Sequence, residues 1–140
     1  MFTIDTSTNF GKRITRQLDD EVVLWLTTVG TSGTPAPKPV WFLWHDGQIL
    51  VSSQPGTAKL RHVAAHPQVA LNFNATHSGG DVGVISGTAV IEPDPIGGEA
   101  RAAYNAKYAD AIAGLGMTPD QFHASYSVLV RITPQKLRGF

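Results

Sequence analysis

The spacing of hydrophobic positions changes along the chain, and each change marks an element. Phe10, Ile14 and Leu18 recur every four residues, which predicts an amphipathic helix over Asn9–Leu18 with one apolar stripe, packed across a barrel. From Val22 to Val29 the run VVLWLTTV is β-branched and apolar at successive positions, which predicts a strand covered on both faces. A turn follows at Gly30-Thr31-Ser32-Gly33-Thr34-Pro35. A second strand over Val40–Trp44 and a third over Gln48–Ser53 are separated by Asp46-Gly47, the residues a type I′ hairpin needs, so these two strands are expected to pair.

Thr57 stands where it can cap a helix over Ala58–His66, with Leu60, Val63 and Ala64 on the apolar face and Pro67 ending it. Val69, Leu71 and Phe73 alternate with Ala70, Asn72 and Asn74, giving a fourth, half-buried strand. After a turn at His77–Asp81, Val82–Ile91 forms a fifth, in which Gly83 and Gly87 predict a bulge or a close approach of another group. Ala100, Ala103, Tyr104 and Tyr108 lie at helical spacing after Pro95, and Gly114 and Gly116 end that helix. Thr118-Pro119-Asp120-Gln121 has the pattern of a capping box, and Val128, Val130 and Ile132 alternate in a last strand. Hairpin-linked strands interrupted by a few helices indicate a mainly β (α+β) fold, an antiparallel sheet closed into a barrel rather than a doubly wound parallel sheet. At 140 residues the chain is read as a single domain over 1–140.

Composition narrows the partners. An apolar fraction of 42% and a charged fraction of 16% are those of a chain that folds. Eleven Lys+Arg balance eleven Asp+Glu, so neither nucleic acid nor an anionic membrane is expected as a partner, and any anion site must be local. With no Cys there is no disulfide or thiolate chemistry, which fits a reducing compartment. The polar start, Met1–Glu21, has no apolar targeting core, and no stretch reaches membrane-spanning length; a cytoplasmic protein is expected.

Tightly spaced enzyme motifs are missing: there is no P-loop, no Gly-x-Gly-x-x-Gly after a strand, no Gly-x-Ser-x-Gly and no His-Glu-x-x-His. Asp19-Asp20-Glu21 reads as solvated acidity after a surface helix. His62 and His66 stand four apart without a third ligand at a recognisable spacing, so they read as surface histidines and no metal is expected. Trp41 and Trp44 read as core or dimer-interface residues. The informative stretch is Ser52-Ser53-Gln54-Pro55-Gly56-Thr57-Ala58-Lys59-Leu60-Arg61, which runs from a strand end through a turn into a helix start, where free N–H groups and the helix dipole attract anions. Lys59 in the first turn opposes that dipole, and an anionic ligand would offset the repulsion. On the residues alone such a turn more often binds no phosphate, with Lys59 a solvated surface charge.

Gly56-Thr57-Ala58-Lys59, followed at helix length by His66-Pro67 and then by the Val69–Phe73 strand, resembles a segment of the pyridoxamine 5′-phosphate oxidase-like split-barrel superfamily. The strand Pro37-x-Pro39-Val40-Trp41-Phe42-Leu43-Trp44 and the turn Ser78-Gly79-Gly80-Asp81 resemble its actinobacterial branch of deazaflavin (coenzyme F420) enzymes. The resemblance implies a homodimer of six-stranded antiparallel split β-barrels with short peripheral helices, holding a cofactor in each of two interface clefts. In that picture Lys59 meets the cofactor phosphate with Thr57, Ser52 and Ser53, and the backbone of Val40, Trp41 and Phe42 lines the ring system. Arg61 is a further candidate, with a solvent-facing position as its alternative. Two positions depart from the flavin-using oxidases: Ala58 stands where they carry Arg, and Val82 aligns with their ring-contacting Gln. Both departures weaken the case for flavin mononucleotide (FMN) and are compatible with a deazaflavin, whose long anionic tail can find contacts elsewhere. The expected function is hydride transfer between reduced F420 and a small organic substrate, with the cofactor carrying the chemistry. The alternatives are an FMN-dependent oxidoreductase on the same fold and a non-catalytic cofactor-binding protein. No side chain stands out as a catalytic acid or base, and no motif names the substrate.

Overall fold

In the computed structural model, which describes residues 2–140, helix α1 (Asn9–Asp20) is followed by strands β1 (Leu24–Val29), β2 (Pro35–Val40), β3 (Leu43–His45) and β4 (Gln48–Ser53). Helix α2 (Ala58–Ala65), β5 (Gln68–Asn72), β6 (Gly83–Glu92), α3 (Gly98–Gly114), α4 (Pro119–Ser125) and β7 (Val128–Gly139) complete the chain. All strands join one antiparallel sheet in the order β2-β1-β5-β6-β7-β4-β3.

Chain length forces this sheet to curl. Its edge strands, β2 and β3, are consecutive in sequence, with only Trp41 and Phe42 between them. Laid flat, seven strands at ordinary spacing would hold those edges about 29 Å apart. From Val40 to Leu43 the backbone reaches about 11 Å at most. The sheet therefore bends into a half-closed barrel, and Trp41–Phe42 is its seam.

The seam corrects the sequence reading. Val40–Trp44 is not one strand: β2 ends at Val40 and pairs with β1, whereas β3 begins at Leu43 and pairs with β4, so the sheet has seven strands rather than six. Proline hides β2 from a pattern search. Pro35, Pro37 and Pro39 alternate along it, and since the ladder to β1 needs N–H donors, the prolines take the positions facing away from β1. That side offers no donors at those positions, which fits a strand at the edge of a sheet. The Asp46-Gly47 hairpin forms as expected, with φ of 50° and 72°.

Two apolar clusters lie on opposite faces of β4 and β7. Inside the barrel, Ile14 and Leu18 of α1, both 0% exposed, pack with Leu24, Leu26, Ile49, Val51, Val130 and Ile132. On the other face, Leu50 and Leu129 pack against Tyr104, Tyr108 and Ile112 of α3 and Phe122 of α4. Strand β1 differs from its reading: Val22 lies outside it and is exposed, and only Leu24, Leu26 and Thr28 are buried, while Trp25, Thr27 and Val29 are half-buried. Gly87 marks a register shift against β7, where a Cβ would stand 2.5 Å from the Thr133 carbonyl oxygen.

Candidate functional site

Strand alternation decides what each serine at the end of β4 does. Ser52 shares the face of Leu50, toward α3 and α4, whereas Ser53 lies on the opposite face and is 1% exposed. The Ser53 hydroxyl donates to the Gln54 carbonyl (2.8 Å), lies 2.9 Å from Thr57 Oγ1 and accepts from Lys59 Nζ at 3.4 Å. Thr57 thus occupies the N-cap position of α2, but its side chain does not cap the helix as the sequence suggested; it bonds Ser53 instead. This cluster holds the ammonium end of the Lys59 side chain.

Lys59 is half-buried and has no carboxylate partner among the described residues. Burial, and after it the charge of Lys38, hold its ammonium below the usual lysine value. Its amine lines a cavity of about 260 Å³ bounded by Val40, Trp41, Ser52, Tyr104, Phe122 and Tyr126. Most of the wall is aromatic. Trp41 stacks on Tyr108 with centroids 4.7 Å apart, and Phe122 on Tyr126 at 4.5 Å. Ser52 Oγ is enclosed in the wall, beside the Tyr104 hydroxyl. An apolar slot with flat walls and one ammonium that lacks a counter-charge suits a planar ligand that carries an anionic group.

The seam is held by α3 rather than by a neighbouring strand. Phe42 N–H donates to the Tyr108 hydroxyl (2.8 Å), whose own proton has its shortest acceptor in the Val22 carbonyl at 2.6 Å. Lys107 Nζ donates to the Phe42 carbonyl at 2.8 Å and lies 3.7 Å from the centre of the Phe42 ring. Burial lowers the Lys107 ammonium to about 8 against the pull of Asp19, Asp20 and Glu21, and pushes the Tyr108 phenol up to about 12.

Of the residues singled out in the sequence, Val40, Trp41, Ser52 and Lys59 meet in the cavity. Ser53 and Thr57 sit behind it. Phe42 does not line it: its side chain is 0% exposed within the barrel, and its backbone groups are engaged by α3. Arg61 lies outside the cavity, exposed, donating to the Gly56 carbonyl at 2.8 Å. His62 lies 2.8 Å from Thr28 Oγ1 through its Nδ1, and His66 is exposed. Tyr104, Phe122 and Tyr126 were missed, although the i, i+4 aromatic pairs Tyr104/Tyr108 and Phe122/Tyr126 are visible in the sequence. Among the described residues no three His, Cys, Asp or Glu side chains are grouped to hold a metal, and no helix is long and apolar enough to cross a membrane. A larger open depression of about 870 Å³ lies beside the N-terminal segment and the β3–β4 hairpin, and among the described residues its only charged lining residue is Asp46.

A sequence family described as pyridoxamine 5′-phosphate oxidase matches residues 10–140. No curated protein matches the chain by sequence. An F420 reductase of known structure is 24% identical, with a TM-score of 0.67 over 86% of this chain and 92% of its own. The heme storage protein HutZ from Vibrio cholerae is 17% identical, with a TM-score of 0.68 over 94% of this chain and 95% of its own. A FAD-binding protein from Mesorhizobium loti is 19% identical, with a TM-score of 0.62 over 88% of each chain. At these identities the three likenesses establish the fold.

Proposed function

The chain belongs to the pyridoxamine 5′-phosphate oxidase family, and on that premise we propose that it is an oxidoreductase that transfers hydride between reduced coenzyme F420 and a small organic substrate. The observation that carries this reading is Lys59, an ammonium half-buried beside an aromatic slot with no carboxylate to neutralise it. A cofactor phosphate would supply that missing charge.

Each residue then has a task. Lys59 binds the phosphate, Ser53 and Thr57 hold the Lys59 side chain, and Val40 and Trp41 border the ring system. Phe42 fixes the seam on which Val40 and Trp41 stand, and Arg61 braces the Gly56 turn. The deazaflavin ring supplies the hydride when bound, and the apolar walls exclude water around it. Ala58 and Val82, in place of the Arg and Gln of flavin-using relatives, weaken the case for FMN and are compatible with F420. The reading includes a homodimer, in which a second copy covers the open side of the cleft.

Absorbance titration of the purified protein with F420 and with FMN tests this. Tighter binding of F420, followed by turnover with a reducible substrate, supports the proposal. Tighter binding of FMN moves the chain to the FMN-dependent alternative, F420 binding without turnover makes it a carrier, and binding of neither overturns it.

A further inference from the structure

Three hollows lie next to one another beside Lys59, each sharing wall residues with the next. The aromatic cavity shares Val40 and Lys59 with a smaller one of about 60 Å³. That one shares Ala36 and His62 with an open hollow of about 430 Å³ at the β1–β2 turn. Together they form a track between one face of β2, where Ala36, Lys38 and Val40 alternate, and one face of α2, where Lys59 and His62 stand three apart. The far end is lined by the hydroxyl residues Thr31, Ser32 and Thr34 and by Arg61.

The charge along this track has one sign. No Asp or Glu lines any of the three hollows. Among the described residues Lys38, Lys59 and Arg61 have no ion-pair partner. Cations gathered along a groove repel one another and raise the local concentration of anions. Arg61 spends one nitrogen on the Gly56 carbonyl and keeps further N–H groups for a ligand. His62 turns Nδ1 to Thr28, and its Nε2 lies beside Gly30 of the same turn.

We propose that the β1–β2 turn, with Arg61 and His62, is a second anion subsite, which takes a further anionic group of an extended ligand whose first phosphate sits at Lys59. The ligand class is a chain bearing repeated phosphates or carboxylates. The Lys59 end rests on the function proposed above, whereas the turn end stands on its own lining.

Amide NMR titration of the intact protein with inorganic tripolyphosphate and, separately, with triglutamate tests the subsite without any cofactor. Thr31–Thr34 amides are expected to shift, and the more tightly bound probe tells a phosphate tail from a carboxylate one. Arg61→Gln should weaken that binding about three- to tenfold, and Arg61→Lys should restore part of it. Because Arg61 also braces Gly56, the exposed Lys38→Gln serves as a second variant, expected to weaken both probes with melting unchanged. Shifts confined to Ser52–Lys59, or turn shifts that neither Arg61→Gln nor Lys38→Gln diminishes, would overturn the subsite. Failure of F420 and FMN to bind, with the turn shifts intact, would overturn the cofactor reading alone.

Discussion

At Lys59 the ammonium is disfavoured in the free protein and stands where the proposed ligand would place its phosphate. It is half-buried, close to Lys38, and in the first turn of α2, where a cation opposes the helix dipole. A charge-assisted bond from it to a phosphate is worth roughly 1.5 to 3 kcal/mol. Lys59→Ala should therefore weaken F420 binding about tenfold to a hundredfold by calorimetry, while the melting temperature of the free protein stays level or rises. Unchanged affinity with a lowered melting temperature would make Lys59 structural. Lys107 gives a second prediction, this one about pH. Its folded-state value of about 8 lies below that of an unfolded lysine near 10.4. Between these values the unfolded chain holds more protons, so stability rises with pH across that window. The lowered Lys59 acts in the same direction, whereas Tyr108, pushed up to about 12, opposes it only above about 10. Urea unfolding at pH about 7.5 and about 9.5 should show wild type gaining stability and Lys107→Met gaining less. Equal gains would mean that the Lys107 charge is not disfavoured by folding.

Among the elements, β6 and β7 form the longest ladder and carry its irregularity at Gly87. A methyl there would press on the Thr133 carbonyl, which belongs to backbone and cannot swing aside. Gly87→Ala is expected to cost about 1 to 3 kcal/mol in denaturant unfolding. Gly114→Ala, at the end of α3 with nothing within 4 Å of its new Cβ, should be neutral or stabilising by up to about 1 kcal/mol. If both variants lose equally, the bulge is not what Gly87 serves. Helix α4 shows how a short element can be placed reliably. Thr118 caps it, Gln121 returns the bond and Pro119 starts it, and this local closure lets seven residues hold Phe122 and Tyr126 in the cavity wall.

For the whole molecule, the half-closed barrel leaves one side of the cleft open, and Leu115, which lines the cavity, is 52% exposed. Phe140 and Val90 are also exposed, at 72% and 56%. The proposed two-fold partner would cover apolar surface of this kind. Light scattering at micromolar concentration should give twice the mass of the chain, and a monomer there would count against an interface cofactor site. A dimer whose mass holds in Lys59→Ala would show that assembly does not depend on the Lys59 charge.

Local chemistry was legible from the sequence alone. The α1 stripe, the Asp46-Gly47 hairpin and the Thr118 capping box each depend on residues a few positions apart, whose conformational preferences need no partner. The break between β2 and β3 was not legible, because ending a strand at Val40 depends on Tyr108 and Lys107, more than sixty positions away, bonding the Phe42 backbone in place of a neighbouring strand. The same holds for the site. Composition could say that an anion site must be local, but Lys38, Lys59 and Arg61 share a groove only because β2 and α2 face each other across the barrel edge. Which of Ser52 and Ser53 opens to the cavity was likewise settled by the side of the sheet that α3 and α4 cover, since alternation along a strand fixes that the two point apart and leaves the choice of face to packing.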